Sequence, residues 1–510
     1  MDLKHQIGQH LVTGFPGLKM NEDFIKAVKE YKIGNVILFA RNIESKHQLK
    51  TLIKDINALY EEEVGIKPFI TIDQEGGMVT RLSDDCVNIP GAMALSATEN
   101  DDYLDECTDI NCRQLEELGI NCNLAPVLDV NCNKNNPVIG TRSYSDEPEE
   151  VSRIGRRIIQ GYRRNKFLCV AKHFPGHGDT ALDSHLSLPT VKKSMKELEK
   201  MELLPFKEAI LNDIPAIMTS HILYPSLEKQ DLPATMSHSI ITDFLRNTLN
   251  FRGLVFSDDM EMNAIKNYYG TVDGAITSLK AGADLLFVSH HPLLAVEVCS
   301  KILEAYNKGE FDNTLWNEST ERIEDFKRKY VDVKTEKQIT ESDKTFVYKV
   351  KRESLSLVKG SRISLGDNPL FVSPQLFQAT NVSSDFPTFS FSKEMIKYIP
   401  GKSITCSSDP NGDEIKQWCS SDLLNNATSV IFASYNAHLY KGQLELAKQM
   451  KKENIPFASI ALRNPYDLSP LNEISDISIA AYEYTADIVR LIAEFFKGEF
   501  DITGHLPVNI

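Results

Sequence analysis

Eight short apolar runs, each followed by or close to a stretch with helical spacing, fill the first 330 residues of this 510-residue chain. The runs are HLVTGF (10–15), NVILFA (35–40), PFITID (68–73), NCNLAPVLDV (121–130), FLCVAKHF (167–174), PAIMTS (215–220), GLVFSDD (253–259) and ADLLFVS (283–289). Several are apolar throughout rather than alternating, which marks strands buried on both faces of a parallel sheet. Helical patterns such as SMKELEKMELLPFKEAILN (194–212) and DGAITSLKAG (273–282) lie between most of them. Eight strand–helix units predict an α/β fold with a (β/α)8, TIM-like barrel. A doubly wound sheet would need a phosphate-binding glycine loop after its first strand, and TGFPG is a poor one.

A single core stops growing near ~250–300 residues, so a second domain is expected. Around residues 315–360 the chain becomes charged and poor in glycine, which reads as solvated helices joining two units. The alternation then resumes with PLFVS (369–373), SITC (403–406), SVIFAS (429–434), PFASIAL (456–462) and DISIAAY (476–482). GQLELAKQMKKEN (442–454) and TADIVRLIAEFFKGE (485–499) are helical between and after them. The expected organisation is a barrel over 1–335, a helical linker over 336–365, and a smaller C-terminal α/β/α sandwich over 366–510.

The net charge is −15, which disfavours nucleic acid and anionic membranes as partners. No window approaches the ~18–20 apolar residues of a membrane span. The start, MDLKHQIGQHLVTGFPG, has no basic region followed by an apolar run, so no signal peptide is expected. The nine cysteines are scattered without a CxxC pair. Free thiols in a reducing cytoplasm fit this best. The glycosylation patterns at Asn381 and Asn426 are then idle. A monomer or a homodimer is expected.

Active sites of such barrels lie at the C-terminal strand ends. Those ends carry Asp73, then Asp129, then Lys172 with His173, Ser220 with His221, Asp258 with Asp259, and Ser289 with His290 and His291. Polar groups are expected at strand ends in any barrel; here most are acids, bases or cations. The fifth run opens into the densest stretch, VAKHFPGHGDTALDSHLSLP (170–189). His173 and His177 are four apart, but Pro175 and Gly176 between them break the helix that a metal pair of that spacing would use. No cysteine or glutamate completes a ligand set, so no metal and no cofactor are expected. His177 and Asp179 are better read as turn-satisfying groups.

Asp183 and His185 are two apart, so in an extended segment they point the same way. Asp183 can then hold one imidazole nitrogen and favour the protonated ring. Such a histidine can donate a proton and take one back, provided a nucleophile is near. Asp258 and Asp259 supply candidates on opposite sides of a strand. Asp259 precedes a helical pattern and suits an N-cap, which leaves Asp258 for the barrel mouth.

KHFPGHGDT followed by DSH, together with DQEGG, APVLDVN, GTRSYS and FSDDMEM, resembles glycoside hydrolase family 3, in its β-N-acetylglucosaminidase branch. The motifs span residues 73–262 in the family's order. The resemblance implies Asp258 as catalytic nucleophile, His185 as general acid/base and Asp183 as its dyad partner. It implies Asp73, Arg81, Arg142, Lys172 and His173 as the residues that hold the terminal sugar. The carbohydrate substrate implied is a terminal β-linked GlcNAc glycoside, cleaved with retention, for instance from cell-wall fragments. Asp129 is read as bracing the pocket, and Cys169 as packed rather than reactive. A β-glucosidase, a phosphorylase using phosphate in place of water, and a sugar-binding protein without activity are the other readings.

Overall fold

The computed structural model describes residues 1–180, 188–331, 338–375 and 389–510. Eight parallel strands close into a barrel in sequence order. They are β1 (Leu11–Thr13), β2 (Asn35–Leu38), β3 (Ile70–Ile72), β4 (Cys122–Asn123), β5 (Leu168–Phe174), β6 (Ala216–Thr219), β7 (Leu254–Asp259) and β8 (Leu285–Val288). Each falls within one of the eight apolar runs. The reason for their unbroken apolarity is visible in the two layers that they feed. Val12, Leu168, Val170, Leu254, Phe256, Leu285 and Phe287 form the barrel interior. Their neighbours Leu11, Cys169, Ala171, Val255 and Leu286 pack outward under the helices. Side chains of a strand alternate faces, and here both faces are dry. Ile323 and Tyr330, on the helix Asn313–Tyr330, join the interior cluster.

Two irregularities in this barrel bear on function. The β5–β6 register shifts between Ala171 and Phe174, and the β7–β8 register shifts between Phe256 and Asp259. Both fall at C-terminal ends and bracket Lys172, His173 and Asp258. Register breaks of this kind re-aim side chains, and they concentrate at barrel rims and next to active sites.

The second unit is a six-stranded sheet in the order β11-β10-β12-β13-β14-β9. Its strands are β9 (Ser356–Lys359), β10 (Pro369–Pro374), β11 (Lys402–Cys406), β12 (Ser429–Ser434), β13 (Phe457–Ala461) and β14 (Ile477–Ala480). Five run parallel, and β9 pairs antiparallel with β14 at the edge. Separate apolar clusters lie on its two faces, so this is the α/β/α sandwich the pattern indicates. Within 336–365 the chain is helical over Glu341–Ser354 and then forms β9. That strand was not expected: it has four residues, three of them partly or fully exposed, so no apolar run announces it.

Two local expectations differ. The helix expected over 194–212 is two helices, Met195–Lys200 and Leu203–Leu211. Asp259 does not cap the helix that follows β7, because that helix begins at Asn263 with Met262 at its cap. Asp259 instead accepts from the backbone N–H of Glu261 at 3.2 Å and of Ser289 at 3.3 Å, tying β7 to β8 at the mouth.

Candidate active site

The mouth is built around a buried lysine. Lys172 is 2% exposed and donates from Nζ to Asp73 Oδ1 at 2.8 Å. The same ammonium lies 2.7 Å from Glu75 Oε1. Arg142 grips Glu75 with two parallel bonds, Nε to Oε2 at 2.8 Å and Nη2 to Oε1 at 2.7 Å. Arg81 Nη2 stands 3.7 Å from the other Asp73 oxygen. Two carboxylates therefore face three cations.

Burial alone would push both acids up. Against it, Arg142 and Lys172 hold the Glu75 carboxyl well below the usual range, and Lys172 and Arg81 hold that of Asp73 down. Burial works against the Lys172 ammonium, and Asp73 and Glu75 outweigh it and raise the lysine. Asp73, Glu75, Arg142 and Lys172 are all charged at neutral pH, and the pairs keep them in fixed rotamers.

A second constellation lies beside the first. Asp129, fully buried, accepts from His173 Nδ1 at 2.7 Å and from the backbone N–H of His173 at 3.1 Å. It also accepts from the His177 N–H at 2.6 Å. That fixes the His173 tautomer and leaves Nε2 for another partner. Burial and the neighbouring His173 lower His177 to about 4, so it is neutral at pH 7. Thr180 Oγ1 lies 3.0 Å from its Nδ1. Asn136 donates to the carbonyls of His177 (2.8 Å) and Gly178 (2.9 Å), which clamps the turn from below. The turn needs its glycines: a Cβ on Gly178 would sit 1.6 Å from the Val130 carbonyl oxygen.

Asp258, next to last in β7, lies at the same end of the barrel and is partly exposed. One of its oxygens accepts from the Asp259 N–H at 2.8 Å. Asp259 Oδ2 lies 3.2 Å from His290 Nε2. His221 is spent on Thr235 (3.0 Å) and on the Asp259 carbonyl (2.9 Å). His291 pairs with Glu261. Cys169 is buried in β5, and burial pushes its thiol up. Among the described residues no group of three or more His, Cys, Asp or Glu is placed to hold a metal ion, and no helix is long and apolar enough to cross a membrane.

The structure thus brings together Asp73, Arg81, Arg142, Lys172 and His173, with Asp129 as the brace of His173. Asp183 and His185 lie outside the described residues. Glu75 was missed from the sequence, although it links Lys172 to Arg142. The available signal was its spacing: Asp73 and Glu75 are two apart in DQEGG, the arrangement that puts two side chains on one side of an extended chain.

A closed parallel barrel whose mouth fixes buried carboxylates, cations and a braced imidazole has the groups that recognise sugar hydroxyls. Residues 2–326 match the sequence family described as "Glycosyl hydrolase family 3 N terminal domain". A protein named beta-hexosaminidase A from Pseudoalteromonas piscicida is 34% identical over 274 residues, which is 51% of this chain and 46% of that one. The chain thus spans about half the length of that relative. A beta-hexosaminidase from Tolumonas auensis is 30% identical over 339 residues, 63% of this chain and 99% of its own. A solved family 3 β-N-acetylglucosaminidase from Paenibacillus sp. str. FPU-7 superposes with a TM-score of 0.92 at 32% identity, covering 100% of this chain and 99% of that one. The chain belongs to glycosyl hydrolase family 3, in the branch of these relatives, and is a glycoside hydrolase by that membership.

Proposed function

We propose that this chain is an exo-acting, retaining β-N-acetylglucosaminidase that releases terminal β-linked GlcNAc from cell-wall-derived or other glycosides. The observation that carries the proposal is the Lys172–Asp73–Glu75–Arg142 lattice at the same barrel end as Asp258. Asp73, Arg81, Arg142, Lys172 and His173 are assigned to the terminal sugar. Sugar hydroxyls donate to carboxylate oxygens and accept from ammonium, guanidinium and imidazole N–H groups. Groups already held by their neighbours lose little freedom when the sugar arrives.

In the first step an Asp258 oxygen attacks the anomeric carbon while the bond to the leaving oxygen breaks. His185, oriented by Asp183, gives its proton to that oxygen. In the second step His185 takes a proton from water, the water oxygen bonds to the anomeric carbon, and Asp258 leaves as carboxylate. The two inversions give net retention. The dyad rests on the family resemblance. A cytoplasmic monomer or homodimer is assigned with it.

The test compares p-nitrophenyl β-GlcNAc with the β-glucoside, with and without phosphate. The expected outcome is preferred cleavage of the GlcNAc substrate, independent of phosphate. Asp258→Ala should lower kcat by on the order of 10⁴-fold or more. Preferred glucoside cleavage, or release of a sugar 1-phosphate, would replace this reading with the β-glucosidase or the phosphorylase. Undiminished turnover by Asp258→Ala would remove the assigned nucleophile.

A further inference from the structure

The segment RNPYDL (463–468) is unused by the barrel chemistry, yet it follows β13 and turns back against the barrel. Asn131, in the barrel, donates to the Tyr466 hydroxyl at 2.7 Å. Asn464 lies against Gly140, where an added Cβ would come within 2.4 Å of Asn464 Oδ1. Gly140 opens the short helix Gly140–Arg142, so this turn touches the element that carries Arg142.

Three polar groups of this turn and its neighbour lack partners. Arg463 is 1% exposed, and its Nε and Nη1 are enclosed without an acceptor. Its guanidinium carbon stands 5.7 Å from the centre of the Tyr435 ring. The nearby Asp467 is already committed. Its Oδ2 accepts from Ser434 Oγ at 2.8 Å, and its Oδ1 accepts from the His438 backbone N–H at 2.9 Å and from His438 Nδ1 at 2.7 Å. That leaves His438 Nε2 enclosed and unpartnered. Asn464 donates to Asn436 Oδ1 at 2.8 Å, and its own Oδ1 has no partner.

The positions converge for a topological reason. β12 and β13 are parallel and register Ser434 against Ala461, so residues 435–438 and 462–464 leave the sheet side by side. The chain goes from β10 to β11 on one side and then to β12 on the other, so the switch lies between β10 and β12 and β12 borders both it and the site. Open α/β sheets bind ligands at the carboxyl ends of strands beside such a switch. A buried guanidinium without an acceptor is costly, and buried polar groups are almost always satisfied. Its planar fork matches a carboxylate or a phosphate.

We propose that the carboxyl ends of β12 and β13 form a binding site for a small oxyanion, a carboxylate or a phosphate ester, held by Arg463. Asn464 Oδ1 and His438 Nε2, whose ring gives its Nδ1–H to Asp467, are the acceptors for hydroxyls on the same molecule. Through Asn464 the site abuts the element that carries Arg142.

The experiment is calorimetric titration of the full chain with inorganic phosphate and, separately, with lactate. Saturable binding of at least one at a single site is expected. Arg463→Met should weaken it by about tenfold or more, the scale of a lost charge-assisted pair. His438→Gln should weaken it by less, and it carries the test if Arg463→Met does not fold. Binding of phosphate alone, or of lactate alone, identifies the oxyanion. Absence of saturable binding by either, or binding that both substitutions leave unchanged, overturns the proposal.

Discussion

At the barrel mouth, Lys172 is 2% exposed and meets two carboxylates within 2.8 Å. At the ends of β12 and β13, Arg463 is 1% exposed, and its Nε and Nη1 meet none. Both cations are buried, and the neighbouring acids make the difference. Asp73 and Glu75 reach Lys172 from the chain just beyond β3. Asp467 is close to the second site but is turned to His438 and Ser434. A saturated lattice holds its groups still and is ready for a neutral, hydroxyl-rich partner. An unsaturated one leaves a charge that asks for an anion. In this reading the two units recognise chemically opposite things.

The sharpest way to break this comparison is to remove each cation without removing volume. Lys172→Met takes from Asp73 its 2.8 Å partner and leaves Glu75 to Arg142 in a buried setting, and should cost about 3–5 kcal/mol of stability. Arg463→Met takes away a charge whose enclosed nitrogens have no partner, and should leave stability unchanged within roughly 0.5 kcal/mol or raise it. Urea unfolding of the two variants measures both. Equal losses would mean that Arg463 is compensated after all.

The barrel floor offers a third buried cation. Lys327 Nζ donates only to neutral oxygens, Gln9 Oε1 at 2.7 Å and the Gly34 carbonyl at 2.8 Å. Burial lowers it to about 7, from 10.5 when unfolded. Between those values the unfolded chain binds a proton that the folded chain does not, so this residue's contribution to stability rises with pH from about 7 to 10.5. Below pH 7 the full cost of the buried charge is present. Lys327→Met should therefore stabilise the protein at pH 6 relative to pH 10, by on the order of 3 kcal/mol. Thermal unfolding at the two pH values reads this, and a pH-independent difference would show that the ammonium is not penalised.

Smaller effects probe how the mouth is supported. In Gly178→Ala the new methyl meets the Val130 carbonyl, so the turn beneath His177 must move. The cost should lie at the upper end of roughly 1–3 kcal/mol, with turnover reduced. Thr180→Val removes the hydroxyl that meets His177 Nδ1 and the His177 carbonyl and accepts from Asn136, and should cost about 1 kcal/mol. A Gly178→Ala protein with unaltered melting temperature and turnover would show that the turn does not depend on that close approach.

The barrel was legible because a short run that is apolar on both faces must be buried on both faces, and all eight runs contain a strand. The sandwich was legible for the same reason, except at β9. That edge strand has exposed positions, and its pairing with β14 is decided by where β14 lies rather than by its own residues. The residues proposed to hold the sugar were legible as a motif set, and the structure brings Asp73, Arg81, Arg142, Lys172 and His173 to one mouth. Glu75 was not singled out, because its place between Lys172 and Arg142 comes from chain segments 67 and 97 residues away from it in sequence (142 − 75 and 172 − 75). The role proposed for RNPYDL was equally invisible: turn residues at a strand end are common, and nothing in six residues says what stands opposite.

The sequence by itself determined which segments are strands, which residue types crowd their ends and which family's chemistry they match. These are properties of short stretches, fixed by side-chain periodicity and local spacing. Only the tertiary structure decided which charges are compensated. Lys172 and Arg463 each stand near the end of an apolar strand run, and one is locked while the other is left open. Electrostatic pairing depends on distance in space and on exclusion of water, and both are set by packing between elements far apart along the chain.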